Sequence, residues 1–272
     1  MKEPALADQF AAVNRAFSKQ SYHYDADDRA NPILQDMRDQ VYTHVNRYLK
    51  REGSILELNA GTGIDAVHFA SSGHCVHATD LSSGMISQIM AKIPLPIVGE
   101  RLTCQQLSYD QLDQIEGRKF DYVFSNFGGL NCIQDLSRVT RHLKPLLNTG
   151  AYITFVIMPP ISLWELAWIF KGKPRQAFRR LHKNGVKAHL EGEFFETYYH
   201  SLREITNAFG SNYKLMRSEG LCSLSPPPSP GHFAFKHPQW YKTLRQLDSI
   251  VRLVPPFNRW ADHLIVTFKL VS

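Results

Sequence analysis

The stretch ILELNAGTGIDAVHFA, residues 55–70, constrains the fold more than any other part of the chain. An apolar run of strand length leads into Gly61 and Gly63, and a run with helical spacing follows. A strand, a glycine turn and a helix in this order direct backbone N–H groups and the positive end of the helix dipole at one place. We therefore expect a ligand-binding bend, in which the two glycines admit a close ligand and Asn59 tolerates a left-handed backbone.

The alternation of strand and helix continues along the chain. Five apolar runs, separated by helical stretches, predict a mostly parallel sheet with helices on both faces: SILEL, HCVHATD, RLTCQQL, FDYVFSN and GAYITFVIM. A late run, HLIVTFKLV, is the candidate for a closing strand. The sequence thus predicts an α/β fold.

Two irregular inserts interrupt this pattern, at residues 158–195 and 225–260. Both are longer than the connections of a compact sheet, and long insertions commonly cover a site. We interpret residues 1–272 as one domain, with residues 1–50 as an N-terminal helical lid and the two inserts as helical caps.

Composition indicates an ordinary globular protein, with 43% hydrophobic and 21% charged residues. The first residues, MKEPALADQFAAVNRAF, have the pattern of an amphipathic helix instead of a secretory signal, so we expect a cytoplasmic location. The four cysteines lie far apart, without the spacing of a zinc site or a disulfide framework, and we predict free thiols and no metal.

The net charge of +6 is concentrated in one segment. Residues 171–187 carry seven Lys or Arg and no acidic residue, and the rest of the chain is nearly neutral. One basic segment therefore needs an explanation, and the overall charge does not by itself imply nucleic-acid binding.

Two kinds of cofactor fit the glycine bend. Gly61, Gly63 and Ala66 satisfy the GxGxxA pattern of nicotinamide dinucleotide sites, and Asp80 stands where an acid can bind ribose hydroxyls. Glu57, however, precedes Gly61 by four residues. A carboxylate there would repel a pyrophosphate and attract a cationic amine, which favours a different cofactor.

In these residues the chain resembles the class I S-adenosylmethionine-dependent methyltransferases. Their first motif, an acid followed by alternate glycines, overlays on Glu57, Asn59, Gly61 and Gly63, with Asn59 in place of the first glycine. ATDLSSGMI is similar to the family's second strand and the helix after it, FDYVFSNFGGLNCI to its fourth strand, and HLKPLLNTGAYITFVI to its fifth. The resemblance covers residues 14–157 and implies a Rossmann-like, seven-stranded sheet with one antiparallel strand, HLIVTFKLV.

The resemblance also implies a set of cofactor contacts. Asp80 would bind the ribose, Met85 would lie near the adenine, and the segment before the first strand would close over the cofactor. Many members have an acidic residue near the adenine at the end of the third strand, whereas this chain has Ser108 and Tyr109, so Leu107 or Ser108 would supply that contact. The implied cofactor-binding residues are Tyr24, Glu57, Asn59, Gly61, Gly63, Asp80, Leu81, Met85, Leu107, Ser108, Asn126 and Phe127.

Catalytic residues are less clearly indicated. His200 and Tyr199 lie in ETYYHSLREI and are weak candidates to face a substrate, with an exposed helix cap as the alternative for His200. For Asp65, in the first turn of a helix, the helix dipole and solvent are a sufficient explanation. Methyl transfer from a sulfonium depends above all on alignment, and needs a general base only if the nucleophile must lose a proton.

The first insert joins Trp164, Trp168 and Phe170 to the basic segment. Residues 161–187 could contact a membrane surface, or could form a cap helix whose basic side chains remain solvated, and we favour the solvated cap. The predicted function is S-adenosylmethionine-dependent methylation of a small, apolar or lipid-like molecule. The alternatives are an RNA or other macromolecule methyltransferase that uses the basic segment and an NAD-dependent oxidoreductase.

Overall fold

The computed structural model describes residues 6–228 and 232–271. Seven strands form the main sheet: β1 (Ser54–Leu58), β2 (Cys75–Asp80), β3 (Leu102–Gln106), β4 (Phe120–Ser125), β5 (Leu147–Ile157), β8 (Tyr213–Leu221) and β9 (His263–Leu270). Their spatial order is β3-β2-β1-β4-β5-β9-β8. Strands β6 (Val186–Leu190) and β7 (Glu193–Thr197) form a separate antiparallel hairpin.

The described helices flank the sheet or precede it. They are α1 (Leu6–Gln20), α2 (Tyr24–Ala30), α3 (Pro32–Val45), α4 (Ile64–Ser71), α5 (Ser83–Lys92), α6 (Ser137–Thr140), α7 (Leu163–Leu166), α8 (Pro174–Ala177), α9 (Leu202–Phe209), α10 (His232–Lys236) and α11 (Pro238–Val251). Short 3-10 helices lie between several of them. Among the described helices, none is long and apolar enough to cross a membrane.

The pairing of the strands confirms the predicted sheet. β1 pairs in parallel with β2 and β4, β2 with β3, and β4 with β5. β9 runs antiparallel between β5 and β8, as the resemblance implied for HLIVTFKLV. This inserted antiparallel strand differs from the 3-2-1-4-5-6 order of dinucleotide-binding sheets.

A hydrophobic core covers each face of the sheet, because side chains alternate along every strand. Leu56 and Val123 belong to the core that includes α9, whereas Ile55 and Phe124 belong to the core beneath α3 and α4. Because these strands are buried on both faces, their sequences are nearly continuous apolar runs. The four cysteines are free thiols, as predicted.

We expected the first insert, residues 158–195, to form a helical cap, but it is only partly helical. It begins with short helices between residues 163 and 181, and then forms the β6–β7 hairpin. The run EFFET, which contains two aromatic residues, forms β7. It pairs with VKAHL of β6, from Val186 opposite Thr197 to Leu190 opposite Glu193. Aromatic residues favour strands when a partner strand is available, and no sequence pattern indicated that partner.

Candidate functional site

The glycine bend connects β1 to α4 through three residues with left-handed backbone. The φ angles are 45° at Asn59, 58° at Gly61 and 82° at Gly63. A Cβ atom on Gly63 would lie 2.9 Å from Ile89 Cγ1, so this glycine lets α5 pack against the bend. A Cβ atom on Gly61 would meet nothing within 4 Å, so the backbone at Gly61 is open to a ligand.

Asp80, at the end of β2, is hydrogen-bonded to this bend. Its carboxylate accepts from the Gly61 N–H at 2.8 Å and from the Ser82 N–H at 2.8 Å. Burial raises the pKa of Asp80 to about 6, although both N–H donors act in the opposite direction. Each carboxylate oxygen still has a lone pair for a hydroxyl donor from a ligand.

Glu57 lies beneath the bend and does not line the cavity in front of it. Its side chain is 1% exposed, and among the described residues Oε2 has no hydrogen-bond partner. Burial and the neighbouring Asp65 raise the pKa of Glu57 well above its ordinary value. The structure therefore places Glu57 behind the bend, where it can act on a cationic ligand only through space.

The loop after β4 packs directly on the bend. Asn59 accepts a hydrogen bond from Ser125 Oγ at 2.8 Å and donates to the Asn126 carbonyl at 3.3 Å. The Asn59 amide lies so close to Gly129 that a Cβ atom there would be 2.2 Å from Asn59 Nδ2. Phe127 has a φ of 44°, an uncommon conformation for a bulky residue that is typical of functional sites.

A buried hydrogen-bond network, which no sequence pattern indicated, holds this loop. Asp65 accepts hydrogen bonds from Arg38, from Tyr42 at 2.6 Å and from Asn126 at 2.8 Å. The explanation of Asp65 by solvent and the helix dipole was therefore wrong, because this carboxylate is buried among three donors.

Arg38, on α3, completes the network. Its guanidinium donates to Asp28 at 2.6 Å, and its central carbon lies 4.9 Å from the centre of the Phe127 ring. A buried Arg needs several acceptors in a fixed geometry, which is why residues far apart in sequence meet here.

The bend, the Asp80 carboxylate and the β4 loop enclose a cavity of about 260 Å³. Nine of the predicted cofactor-binding residues line it: Tyr24, Asn59, Gly61, Asp80, Leu81, Met85, Leu107, Asn126 and Phe127. Gly63 and Ser108, like Glu57, are absent from its lining. The Ser108 hydroxyl is buried and donates to Asp110 instead, and Tyr109 occupies the cavity wall.

The lid helix α1 and the β6–β7 hairpin form the outer wall of the cavity. Val13 and Phe17 line it from α1, and Phe195 lines it from β7. The Gln9 amide joins these elements, because it donates to the Glu196 carbonyl at 2.7 Å and accepts from the Glu196 N–H at 2.9 Å. Sequence reasoning missed the hairpin residues of this wall, since their contribution depends on a tertiary contact.

The ionisable residues that line the cavity are mainly acidic. Asp65 and Asp80 contribute carboxylates, and Arg38 contributes one guanidinium that is shared between Asp65 and Asp28. Burial raises the pKa of Tyr24 to about 12, so its phenol is neutral at physiological pH. The site therefore favours a cationic ligand over an anionic one.

The weak catalytic candidates lie outside the cavity lining. The His200 ring is buried and its Nε2 lies 3.0 Å from the Ile133 carbonyl oxygen, while burial lowers the pKa of this histidine. The expectation of an exposed cap was wrong, because Ser201 caps α9 through a capping box with Glu204. Tyr199 packs its ring against the Arg180 guanidinium, at 5.1 Å.

Two arginines of the basic segment form ion pairs with carboxylates of the protein, and one of them is buried. Glu165 accepts from Arg179 at 2.7 Å and 2.8 Å and from Arg180 at 2.7 Å, and Arg180 also donates to Asp262 at 2.7 Å. Arg180 is 5% exposed. The expectation that the basic side chains remain solvated is therefore wrong for Arg180, whereas the Arg179 side chain is 44% exposed.

Comparison with known proteins agrees with this architecture. Residues 55–150 match the model of a family described as a methyltransferase domain. No curated protein matches the sequence. Within the described residues, no group of three or more His, Cys, Asp and Glu side chains is arranged to hold a metal ion.

Three solved structures illustrate the similarity of fold. A putative S-adenosylmethionine-dependent methyltransferase from Listeria monocytogenes is 16% identical, with 85% of this chain and 96% of that chain covered and a TM-score of 0.55. The Burkholderia thailandensis 1,6-didemethyltoxoflavin-N1-methyltransferase, solved with 1,6-didemethyltoxoflavin and S-adenosylhomocysteine, is 14% identical, with 100% and 93% covered and a TM-score of 0.58.

The third is the geranyl diphosphate C-methyltransferase from Streptomyces coelicolor, solved with Mg²⁺, geranyl diphosphate and S-adenosylhomocysteine. It is 12% identical, with 88% of this chain and 81% of that chain covered and a TM-score of 0.54. Similarity at this level of identity establishes the fold alone, and the methyltransferase-domain model matches residues 55–150 of the chain.

Proposed function

We propose that this chain, a class I S-adenosylmethionine-dependent methyltransferase by its domain and fold, methylates a small, largely apolar molecule. The observation that carries the proposal is the cavity, which joins the open backbone at Gly61 and the Asp80 carboxylate to an apolar outer wall. Relatives of the same fold act on small molecules, as the two substrate complexes illustrate.

The cofactor end of the cavity fits S-adenosylmethionine in three respects. The space in front of Gly61 admits a ligand against the backbone. Asp80 offers acceptor lone pairs for ribose hydroxyls. The buried Glu57, with an unpartnered oxygen beneath the bend, gives the site a latent negative charge that a cationic ligand would stabilise.

When bound, S-adenosylmethionine supplies an activated methyl group on a positively charged sulfur. The contribution of the chain is to position the acceptor and to exclude water. Asn126 is held by Asp65 and Phe127 by Arg38, so the loop beside the methyl-transfer position is rigid before a ligand arrives. The acidic lining favours the cationic cofactor over its neutral product, which assists product release.

The acceptor end of the cavity favours an apolar molecule. Val13, Phe17, Cys132, Met158 and Phe195 line it with hydrocarbon and sulfur. A roof made of α1 and the hairpin suits a compound that can be enclosed, and is less suited to a nucleic-acid chain. The antiparallel β9 within the sheet likewise disfavours a nicotinamide-dependent oxidoreductase.

Methyl transfer from radiolabelled S-adenosylmethionine tests this function. The acceptors should include apolar phenols, quinols, amines and fatty acids, with total RNA as the macromolecular comparison. We expect labelled product in the small-molecule fraction only. Label in RNA alone, or in no fraction while S-adenosylhomocysteine binds, would contradict the proposal.

The variant Phe127→Ala separates acceptor positioning from cofactor binding. Phe127 packs on Arg38 and lines the cavity beside Asn126. We expect affinity for S-adenosylhomocysteine to stay within about threefold, because Asp80 and Gly61 are unchanged. Turnover should fall about a hundredfold, the size of effect that a small misplacement of reacting groups produces. Calorimetric titration and the radiolabel assay measure the two quantities.

A further inference from the structure

Part of the first insert forms an exposed surface that the methyl-transfer site does not use. We define the aromatic-basic surface as Ile169, Phe170, Phe178 and Leu181 together with Lys171, Lys173, Arg175 and Lys183. The Phe170 side chain is 93% exposed, and the other three apolar residues are 44–51% exposed. Single exposed apolar residues are common, but here four lie within thirteen positions of the chain.

The charged side chains of this surface are all positive. Residues 166–190 contain no acidic residue. Arg179 and Arg180 are neutralised by Glu165 and Asp262, whereas the cations of the aromatic-basic surface have no ion pair to a carboxylate in the described part of the chain. Lys171 and Lys173 lie over the Trp168 ring, at 4.8 Å and 5.2 Å from its centre. Two of these cations are thus held over an aromatic ring that directly precedes Ile169 and Phe170 in the chain.

The surface is fixed to the catalytic domain at two points. Arg180 joins it to Asp262 at the start of β9, and Trp164 Nε1 donates to the Leu224 carbonyl at 2.9 Å. The insert continues directly into β6, in which Ala188 lines the cavity. A partner bound to this surface would therefore be held next to a wall of the cavity.

We propose that the aromatic-basic surface docks the protein on an anionic lipid bilayer. Phe170, Ile169 and Leu181 insert at the boundary between headgroups and acyl chains, and the lysines and Arg175 contact lipid phosphates. Single-stranded nucleic acid also binds surfaces that combine cations with aromatic rings. Ile169 and Leu181 favour lipid, because aliphatic side chains do not stack on bases. This docking goes beyond the proposed methyl transfer and does not depend on it.

Cosedimentation with vesicles tests the proposal. The probes are vesicles of phosphatidylcholine with 30% phosphatidylserine, vesicles of phosphatidylcholine alone, and a single-stranded RNA oligonucleotide in a filter-binding assay. We expect binding to the anionic vesicles that weakens as salt rises, because the attraction is screened. Binding to RNA without binding to vesicles, equal binding to both kinds of vesicle, or binding to none of the probes would overturn the proposal.

Matched variants assign the binding to this surface. The triple variant Lys171→Glu, Lys173→Glu and Arg175→Glu should reduce vesicle partitioning by at least about a hundredfold. The control Arg51→Glu, Arg203→Glu and Lys214→Glu changes the net charge equally at exposed positions elsewhere and should retain most of the binding. Phe170→Ala should reduce partitioning about tenfold without a change in charge. Equal losses in the two triple variants would show that only net charge matters and would contradict a docking surface.

Discussion

Asp80 combines two tasks in one carboxylate. It closes the glycine bend by accepting from Gly61 and Ser82, and it presents its remaining lone pairs to the cavity. Because burial disfavours its charged form, the carboxyl holds its proton up to about pH 6 in the folded chain without ligand. Ribose hydroxyls and a cationic cofactor both favour the ionised form. We therefore expect ligand binding at this residue to be coupled to proton release.

We expect affinity for S-adenosylhomocysteine to rise with pH through about pH 6. The pKa of Asp80 is raised above its ordinary value of 3.8, so the stability of the ligand-free protein that depends on this group decreases as pH rises from about 4 to about 6. A ligand that needs the ionised carboxylate binds about tenfold more weakly at pH 5 than at pH 7.5. Calorimetric titrations across this range measure the slope.

The variant Asp80→Asn is the control for this pH dependence. It keeps an acceptor for one N–H donor and removes the charge, so affinity at pH 7.5 should fall by about tenfold or more. Glu57, whose pKa is also raised, accounts for any slope that persists in this variant. An unchanged affinity and slope in Asp80→Asn would exclude Asp80 as the group that binds the ligand.

Helix α1 packs on the first turn of α5. Ser18 Oγ accepts from the Gly84 N–H at 3.1 Å and lies 2.9 Å from Ser82 Oγ. A Cβ atom on Gly84 would be 2.7 Å from both the Cα and the carbonyl oxygen of Ser18. Since both contacts are with backbone, this glycine determines how closely α1 can approach and thus where the cavity roof lies.

The substitution Gly84→Ala should displace α1. In a free helix this change stabilises by about 1 kcal/mol, whereas here the added methyl group must move the backbone of α1, which costs about 1–3 kcal/mol. We expect a lower melting temperature and faster proteolysis within residues 6–20. Ser87→Ala, on the exposed side of the same helix, should change stability by less than about 0.5 kcal/mol. Stabilisation by Gly84→Ala would mean that α1 is not packed on α5.

Across the whole molecule, buried ion pairs connect the first insert to the sheet. Arg180 lies between Glu165 of the insert and Asp262 next to β9. Burial alone would raise the pKa of Asp262. The adjacent His263 and Arg180 have the larger effect and hold this pKa well below its ordinary value. The insert that carries the aromatic-basic surface is therefore part of the same folded unit as the cofactor site.

We expect Arg180→Ala to destabilise the protein by about 3–5 kcal/mol. Removal of the guanidinium takes a charged hydrogen-bond donor away from two buried carboxylates, Glu165 and Asp262, which is far more costly than the loss of an exposed pair. Arg179→Ala is the matched control, because its side chain is 44% exposed and Glu165 keeps Arg180. That change should cost less than about 1 kcal/mol. Chemical denaturation of both variants gives the difference, and similar losses would contradict the anchoring role of Arg180.

The strands of the sheet and the groups at their ends could be predicted from local patterns in the sequence. Residues 54–157 carry periodic apolar runs, and the positions of Asn59, Gly61 and Asp80 relative to strand ends are local properties that spacing reveals. Parallel strands end at one edge of the sheet, so ligand groups at strand ends converge without any knowledge of side-chain packing. The resemblance to the methyltransferase family added further residues, and nine of the residues predicted in total line the cavity.

The surroundings of the cavity could not be predicted, because they depend on contacts between distant parts of the chain. Arg38 and Asp65 are 27 residues apart, and Arg180 and Asp262 are 82 apart, so no local pattern pairs them. The depth of Glu57, the burial of His200 and the pairing of the β6–β7 hairpin likewise depend on which surfaces meet. Local periodicity predicts which face of a helix or strand is apolar. The partner of a buried charge depends instead on the tertiary packing that removes water from that charge.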